Sequence, residues 1–464
     1  MVFSSILFLF TFLPITLFLY YILPKSFKNI ILLASSLLFY AWGEPIYILL
    51  MLLTIVFDYV MALQIHRYKD TKKISKSILI FTVGINILTL GFFKYYGFFI
   101  ENINILFNLD ISHSNIPLPI GISFYTFQIL SYVIDVYLKK VEVQKNLVSF
   151  ALYVTMFPQL VAGPIVRYSS IDYQLSNREE TVDLFGEGVE RFIIGLGKKV
   201  LLANNIGLLW TTISSSDISQ ISVLTSWIGI IAYTKQIYFD FSGYSDMAIG
   251  LGKMFGFDFD ENFNYPYISK SITEFWRRWH ISLGSWFREY IYIPIGGNRC
   301  SLLKQFRNIF VVWMLTGLWH GASWNFVVWG IYYGMILFIE KIFLMNKLEK
   351  LPNYIRHMYT MTIVIVGWVF FSIESLTTAM DYLKVMFFIS GNSIIDKTSL
   401  YFLSTNLVLL IVLMIASTPL LNKLFIKIKK SNIYVPAIIN GIMLFLALSY
   451  LVTETYNPFL YFRF

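Results

Sequence analysis

The chain has 464 residues, of which 57% are hydrophobic and only 14% charged, and its mean hydropathy is +0.66. A soluble protein carries about a quarter charged residues, so a water-soluble architecture is excluded for most of this length. The net charge of +9 sits in lysines of short loops between apolar runs, which points to lipid headgroups and membrane topology. Nucleic acid is not implied, since no aromatic-rich basic patch stands out, and the single cysteine, Cys300, excludes an internal disulfide or a cysteine metal cluster.

The first predicted element is MVFSSILFLFTFLPITLFLYY. It lacks a basic leader and a small-residue cleavage site, so it reads as a retained first span. Strong apolar runs follow near 29–40, 43–63, 77–100, 147–163, 191–210, 221–240, 307–320, 323–344, 358–374, 399–421 and 433–452. At about 20 residues per span, this predicts one helical membrane domain over 1–464. Shorter runs near 117–137, 244–257 and 279–295 contain Gly, Pro and charge and read as tilted, broken or re-entrant pieces. The loop HRYKDTKKISKS holds Arg67, Lys69, Lys72, Lys73 and Lys76, which places it inside the cell. ENINILFNLDISHSNIP has no Lys or Arg and lies outside; the basic KLFIKIKK at 423–430 lies inside. The last run then delivers the tail 453–464 to the outer face.

The polar centre spans about 233–330. Between 233 and 299 it combines Asp240, Asp246, Arg277, Arg278, His280, Arg288 and Glu289 with many aromatic residues. Ionisable groups at membrane depth cost about 2.5–3.5 kcal/mol each and persist where they pair or face a watery cavity. An amphipathic surface helix accounts for Arg277 and Arg278, but not for His280 between Trp279 and Ile281. His320 lies in WMLTGLWHGASWN, with no charged residue for a dozen positions on either side. Gly317 and Gly321 flank it, and small residues admit a close backbone or ligand. A packing histidine is the plain alternative. Other motifs carry nothing: GLGKMFG lacks the strand–turn–helix context of a dinucleotide site, DFDEN lacks calcium-loop spacing, no G-x-S-x-G elbow is present, and no metal is expected from two histidines forty residues apart.

FDFSGYSDMAIGLGKMFGF, NFNYPYISKSITEFWRRWHISLGSWFREYIYIPIGGNR and TGLWHGASWNFVVWG resemble the membrane-bound O-acyltransferase (MBOAT) family, in its bacterial branch of alginate O-acetylation. PIGISFYTFQILSYVIDVY and FPQLVAGPIVRY match that branch as well, so the resemblance covers nearly the whole chain. It implies an all-α polytopic fold: a ring of about 11 or more spans with short tilted or re-entrant helices, and funnels from both faces meeting at the active site. It also implies that His320 is the catalytic histidine and His280 the second polar position. The chemistry fits, because acyl transfer to a hydroxyl needs a base, and imidazole, with an ordinary pKa of about 6.5, suits that task.

Further roles follow from the resemblance. His280, with Ser282 or Asn325, would orient the acyl carbonyl or the acceptor, and Trp276 would line the donor site. Arg277 and Arg278 suit either coenzyme A phosphates or lipid headgroups. The expected donor substrate is acetyl-CoA, with no bound cofactor. The expected partners are an extracytoplasmic SGNH-hydrolase-like acetyltransferase and membrane lipid, in a bacterial inner membrane. The tail NPFLYFRF ends in F-x-Y-x-x-F, formed by Phe459, Tyr461 and Phe464. It resembles the C-terminus of the small peptide partner in teichoic acid D-alanylation, where a tyrosine is thought to carry the acyl group. Tyr461 is thus a candidate acyl relay, and an interfacial aromatic anchor is the plain alternative. The rival functions are D-alanyl transfer to teichoic acid from an acyl carrier protein, and a transporter without covalent chemistry.

Overall fold

The computed structural model describes every residue except 113, 115, 162, 433, 454–459 and 461–464. The described residues form helices and no strand; one isolated β-bridge joins Phe263 and Trp279. In chain order the α-helices are α1 Leu13–Ile22, α2 Lys28–Gly43, α3 Tyr47–Arg67, α4 Lys72–Phe107, α5 Ile122–Tyr137, α6 Leu147–Thr155 and α7 Phe157–Leu160. Next come α8 Tyr168–Asn177, α9 Val182–Gly197, α10 Asn205–Ser214, α11 Val223–Met254, α12 Ile272–Arg278, α13 Ile281–Phe287 and α14 Leu302–His320. The chain continues through α15 Trp324–Ile339, α16 Met345–Leu348, α17 Asn353–Ser372, α18 Leu376–Met386, α19 Lys397–Ala416, α20 Leu420–Ser431 and α21 Tyr434–Thr453.

Seven helical stretches among the described residues are long and apolar enough to cross a membrane: Tyr47–Arg67, Lys72–Phe107, Val182–Ser214, Trp324–Leu348, Asn353–Ser372, Lys397–Ala416 and Tyr434–Thr453. A shorter apolar helix, Phe8–Ile22, precedes them. Their outer surfaces are greasy: Leu88 of α4, Val408 of α19 and Phe445 of α21 are 69%, 76% and 70% exposed. Such side chains are stable only where lipid tails cover them. The basic stretch 67–72 joins α3 to α4, and the basic helix α20 joins α19 to α21.

Two sequence expectations meet a different backbone. The apolar run 147–163 is broken at Met156, because Pro158 has no N–H to donate to the preceding turn. Conversely, the runs 221–240 and 244–257 are joined in one 32-residue helix, α11. The glycine between them, Gly243, does not end the helix. Its missing Cβ lets the carbonyl of Gly195 approach; a Cβ there would stand 2.8 Å from that oxygen.

The described residues form two compact units, Met1–Phe192 with Ser245–Asp260, and Ile193–Tyr244 with Glu261–Phe464. In the first, Phe3, Phe8, Phe12, Phe39 and Phe157 make an aromatic core. Its buried carboxylate Asp58 on α3 accepts a 2.8 Å bond from Asn86 of α4. Glu180 accepts the Tyr20 hydroxyl at 2.7 Å and pairs with Lys28 at 3.1 Å. In the second, α14 and α15 form a tight hairpin, α17 packs on α15, and the short α12 lies against both α15 and α17. That hairpin positions the candidate site.

Candidate active site

His320 is the last residue of α14. The helix stops there because Gly321 is fully extended, and its N–H returns to the Gly317 carbonyl at 3.3 Å. Three residues later Ser323, also extended, begins α15. The two helices cross at glycines. A Cβ on Gly317 would stand 2.3 Å from the Phe326 carbonyl, and one on Gly330 would stand 2.4 Å from that of Trp313. Only glycine permits this approach. His320 is therefore held at a hairpin tip, 5% exposed. Its ring packs against Trp319, Trp329 and Phe371 at 5.0, 5.2 and 5.0 Å between centroids.

His280 sits in the turn between α12 and α13 with φ +46°, a left-handed conformation that few side chains adopt. A neighbouring loop holds it there. The Asn262 carbonyl accepts Ile281 N–H at 3.0 Å, and the Asn262 side-chain oxygen accepts Ser282 N–H at 3.2 Å and the Ser282 hydroxyl at 2.9 Å. His280 Nδ1 lies 3.2 Å from that same oxygen, which makes Nδ1 the donor and leaves the lone pair on Nε2. His280 is 2% exposed and packs edge-on against Phe241 at 4.7 Å. Its ring also lies 5.9 Å from Trp319, the indole that touches His320. The two histidines, forty residues apart in sequence, thus flank one tryptophan.

The short α12 is anchored by a buried carboxylate. Glu340 accepts Ile272 N–H at 2.7 Å, Thr273 N–H at 2.8 Å and the Thr273 hydroxyl at 2.6 Å. These bonds satisfy donors at a helix N-terminus, where a negative charge is favoured.

The remaining expected residues divide. Ser282 stands beside His280 through Asn262. Trp276 joins the aromatic wall, 5.5 Å from Trp329, which in turn touches His320. Asn325, in the first turn of α15, donates its amide to the Phe370 carbonyl at 3.2 Å, and its oxygen accepts the Ser323 hydroxyl. It ties α15 to α17 and fixes the hairpin. Arg278 is committed to Glu274 at 3.0 Å and to the Asn264 carbonyl at 3.0 Å, whereas Arg277 is exposed. Tyr461, with Phe459 and Phe464, lies outside the described residues. Leu460 lies within them, and its N–H donates to the Asp240 carboxylate at 2.9 Å.

Sequence reasoning missed Asn262, Glu340 and Lys199. Lys199 is 2% exposed and pairs with the equally buried Asp240 at 2.5 Å. Among the described residues no group of three or more His, Cys, Asp or Glu side chains is arranged to hold a metal.

The chain is similar to known proteins over most of its length. The model of MBOAT, the membrane-bound O-acyltransferase family, matches residues 138–380. A probable alginate O-acetylase, AlgI, of Pseudomonas aeruginosa is 44% identical over 391 residues, covering 83% of this chain and 75% of that protein. A peptidoglycan O-acetyltransferase of Helicobacter pylori is 34% identical over 430 residues, covering 85% and 81%. A teichoic acid D-alanyltransferase of Bacillus subtilis is 29% identical over 238 residues, covering 48% of this chain and 60% of that protein.

Proposed function

Since this chain belongs to the membrane-bound O-acyltransferase family, we propose that it moves acetyl from cytoplasmic acetyl-CoA across the membrane for O-acetylation of an extracellular polymer. It is an O-acyltransferase and a multi-pass protein of the bacterial inner membrane. The acetyl reading rests on relatives named for alginate and peptidoglycan O-acetylation that align over more than four-fifths of the chain. The D-alanyl relatives align over about half of it. We treat the two compact units as one integral-membrane domain, a reading supported by α11, which contains residues of both.

The observation that carries the mechanism is the pair of buried histidines on either side of Trp319. His320 takes the proton from the acceptor hydroxyl. That oxygen attacks the thioester carbonyl, the C–S bond breaks, and the coenzyme A thiolate leaves and regains a proton. His280, fixed by Asn262, orients the carbonyl or the acceptor. The aromatic wall of Trp276, Trp319 and Trp329 excludes water that would hydrolyse the thioester. Arg277, exposed while Arg278 is committed to Glu274, is the better of the two arginines for a donor phosphate.

The first acceptor is the Tyr461 hydroxyl. A phenol of pKa about 10 makes a more activated ester than a sugar hydroxyl does, so transfer of acetyl from the tyrosyl ester to sugar runs downhill. An extracytoplasmic SGNH-hydrolase-like partner completes the transfer. The described neighbour of Tyr461 in the chain, Leu460, donates its N–H to the buried Asp240 carboxylate, which supports this reading.

Labelling of the purified protein with radiolabelled acetyl-CoA, followed by peptide mapping, tests this reading. Label is expected on the C-terminal peptide and is expected to vanish in His320→Ala and in Tyr461→Phe. Full labelling of His320→Ala would sink the base assignment, and unchanged transfer in Tyr461→Phe would sink the relay. No label on folded wild-type protein would favour a carrier-protein donor and D-alanyl transfer.

A further inference from the structure

We infer that the slot between α11 and α19 holds one acyl chain of an anionic phospholipid, with the lipid phosphate at Lys235. The inference stands apart from the acyl-transfer reading and does not rest on it.

α19 is barely covered by protein, with 11% of its apolar stretch buried. It is clasped to α11 at two points. At its start the Asp396 carboxylate accepts the Ser222 hydroxyl at 2.9 Å, just ahead of α11. At its end the Lys235 ammonium donates to the Ser417 hydroxyl at 3.0 Å. Between the clasps the chain advances thirteen residues on the α11 side, about 20 Å of helix, and twenty-one residues on the α19 side, about 31 Å. Helical segments of such unequal length, joined at both ends, cannot lie flush.

A cavity of about 210 Å³ opens between them. Trp227 and Ile231 of α11 line it with Leu403, Leu410 and Met414 of α19, and among the described residues Lys235 is its only charged lining residue. Met414 is 58% exposed, so the slot opens sideways toward lipid. Water does not fill such a space, because a water needs two to four polar partners and apolar cavities of this size stay dry and take apolar ligands. Left empty, the slot would forfeit dispersion contacts along its whole lining. The lipid tails that surround α19 supply the occupant.

The head group follows from Lys235, which is 5% exposed. Buried Lys199 is matched by Asp240, whereas Lys235 has no carboxylate partner among the described residues. Its ammonium, with three donors, meets the Ser417 hydroxyl and, at 5.0 Å, the face of the Tyr267 ring. A cation at such a depth persists where an anion pairs with it. Its level suits a phosphate. Ser417 lies three residues before α20, which has no buried residue and carries Lys423, Lys427, Lys429 and Lys430 among Leu and Ile side chains. A basic amphipathic helix of this kind lies at headgroup level and collects anionic lipid. Lys235 therefore stands where the phosphate of a lipid meets the top of its own acyl chain.

Native mass spectrometry of the full-length protein, titrated in detergent with phosphatidylglycerol or phosphatidylcholine, tests the site. The wild type is expected to retain one phosphatidylglycerol about tenfold more tightly than phosphatidylcholine, through a charge-assisted bond. Lys235→Met keeps the aliphatic stem without the charge and is expected to bring phosphatidylglycerol down to the level of phosphatidylcholine. Leu410→Trp fills the slot and is expected to lose the tightly held lipid of either kind. Removing an unpaired buried charge does not threaten the fold, so Lys235→Met stays informative where Leu410→Trp fails to fold. Lys427→Met, on exposed α20, is the control and is expected to weaken phosphatidylglycerol about twofold or less. Equal retention of the two lipids by the wild type, or a phosphatidylglycerol preference that survives Lys235→Met, overturns the site. A loss as large in Lys427→Met as in Lys235→Met marks a general surface-charge effect and overturns it as well.

Discussion

Asn262 is one side chain doing three jobs. Its oxygen accepts the Ser282 N–H, the Ser282 hydroxyl and His280 Nδ1, and its backbone carbonyl takes Ile281 N–H. The turn at His280 needs this because a left-handed histidine is strained by about 1–3 kcal/mol and persists only when its surroundings enforce it. Asn262→Ala leaves buried donors without an acceptor and is expected to cost about 1–3 kcal/mol of stability. It is also expected to slow acetyl transfer, since His280 loses the partner that fixes its tautomer. Thermal unfolding and a transfer assay check this, and an unchanged melting temperature would show that the turn holds itself. Both histidines were legible in the sequence because each sits in an unusual local setting, one between Trp279 and Ile281, the other between glycines. Asn262 was not. It follows Asp258, Asp260 and Glu261 in a polar loop, and nothing in that composition marks the one side chain that turns inward. Asn325 shows a second use that the sequence did not reveal. Its nearness to His320 in sequence suggested a site role, and its amide also fixes α15 to α17.

The hairpin of α14 and α15 depends on two missing methyl groups. Gly317 and Gly330 face backbone carbonyls that cannot yield, unlike the far end of a flexible side chain. Gly317→Ala is expected to force the helices apart and destabilise by about 1–3 kcal/mol or more, and to lower activity by moving His320. Gly91→Ala provides the control. Nothing lies within 4 Å of a Cβ at that position in α4, so the better helix propensity of alanine, about 1 kcal/mol, is expected to leave stability equal or higher. Melting of both variants in one detergent reads the contrast; similar losses would mean that the crossing tolerates a methyl group. The span positions were legible because apolar composition over about 20 residues is a strong signal. The breaks were not. Gly243 fell between two predicted runs and Pro158 inside one, yet only Pro158 lacks the N–H whose loss interrupts a helix.

Acid sensitivity is a property of the whole molecule, and Glu180 contributes to it. Burial alone would raise its pKa, but hydrogen bonds from Tyr20 and Lys28 and the charges of Lys28 and Arg178 outweigh this and hold it below the ordinary value. A depressed carboxylate stabilises the fold above its unfolded pKa, about 4.3, and the contribution is lost as pH falls through the folded value. Melting temperature is therefore expected to drop as pH falls below about 4.3, and Glu180→Gln is expected to flatten that drop while lowering stability at neutral pH. An identical acid profile in the variant would remove Glu180 from the account.

The buried ion pair bears on how the chain enters the membrane. α11 is not among the seven stretches apolar enough to cross on composition alone, and it carries Asp240. The stretch just before it, Val182–Ser214, is apolar enough and carries Lys199. Separately, each charge would face lipid at a cost of about 2.5–3.5 kcal/mol on insertion scales. Pairing before either helix meets lipid lowers that cost for both. A charge-removing change at Asp240 is therefore expected to lower the yield of inserted protein, because it takes the carboxylate from buried Lys199.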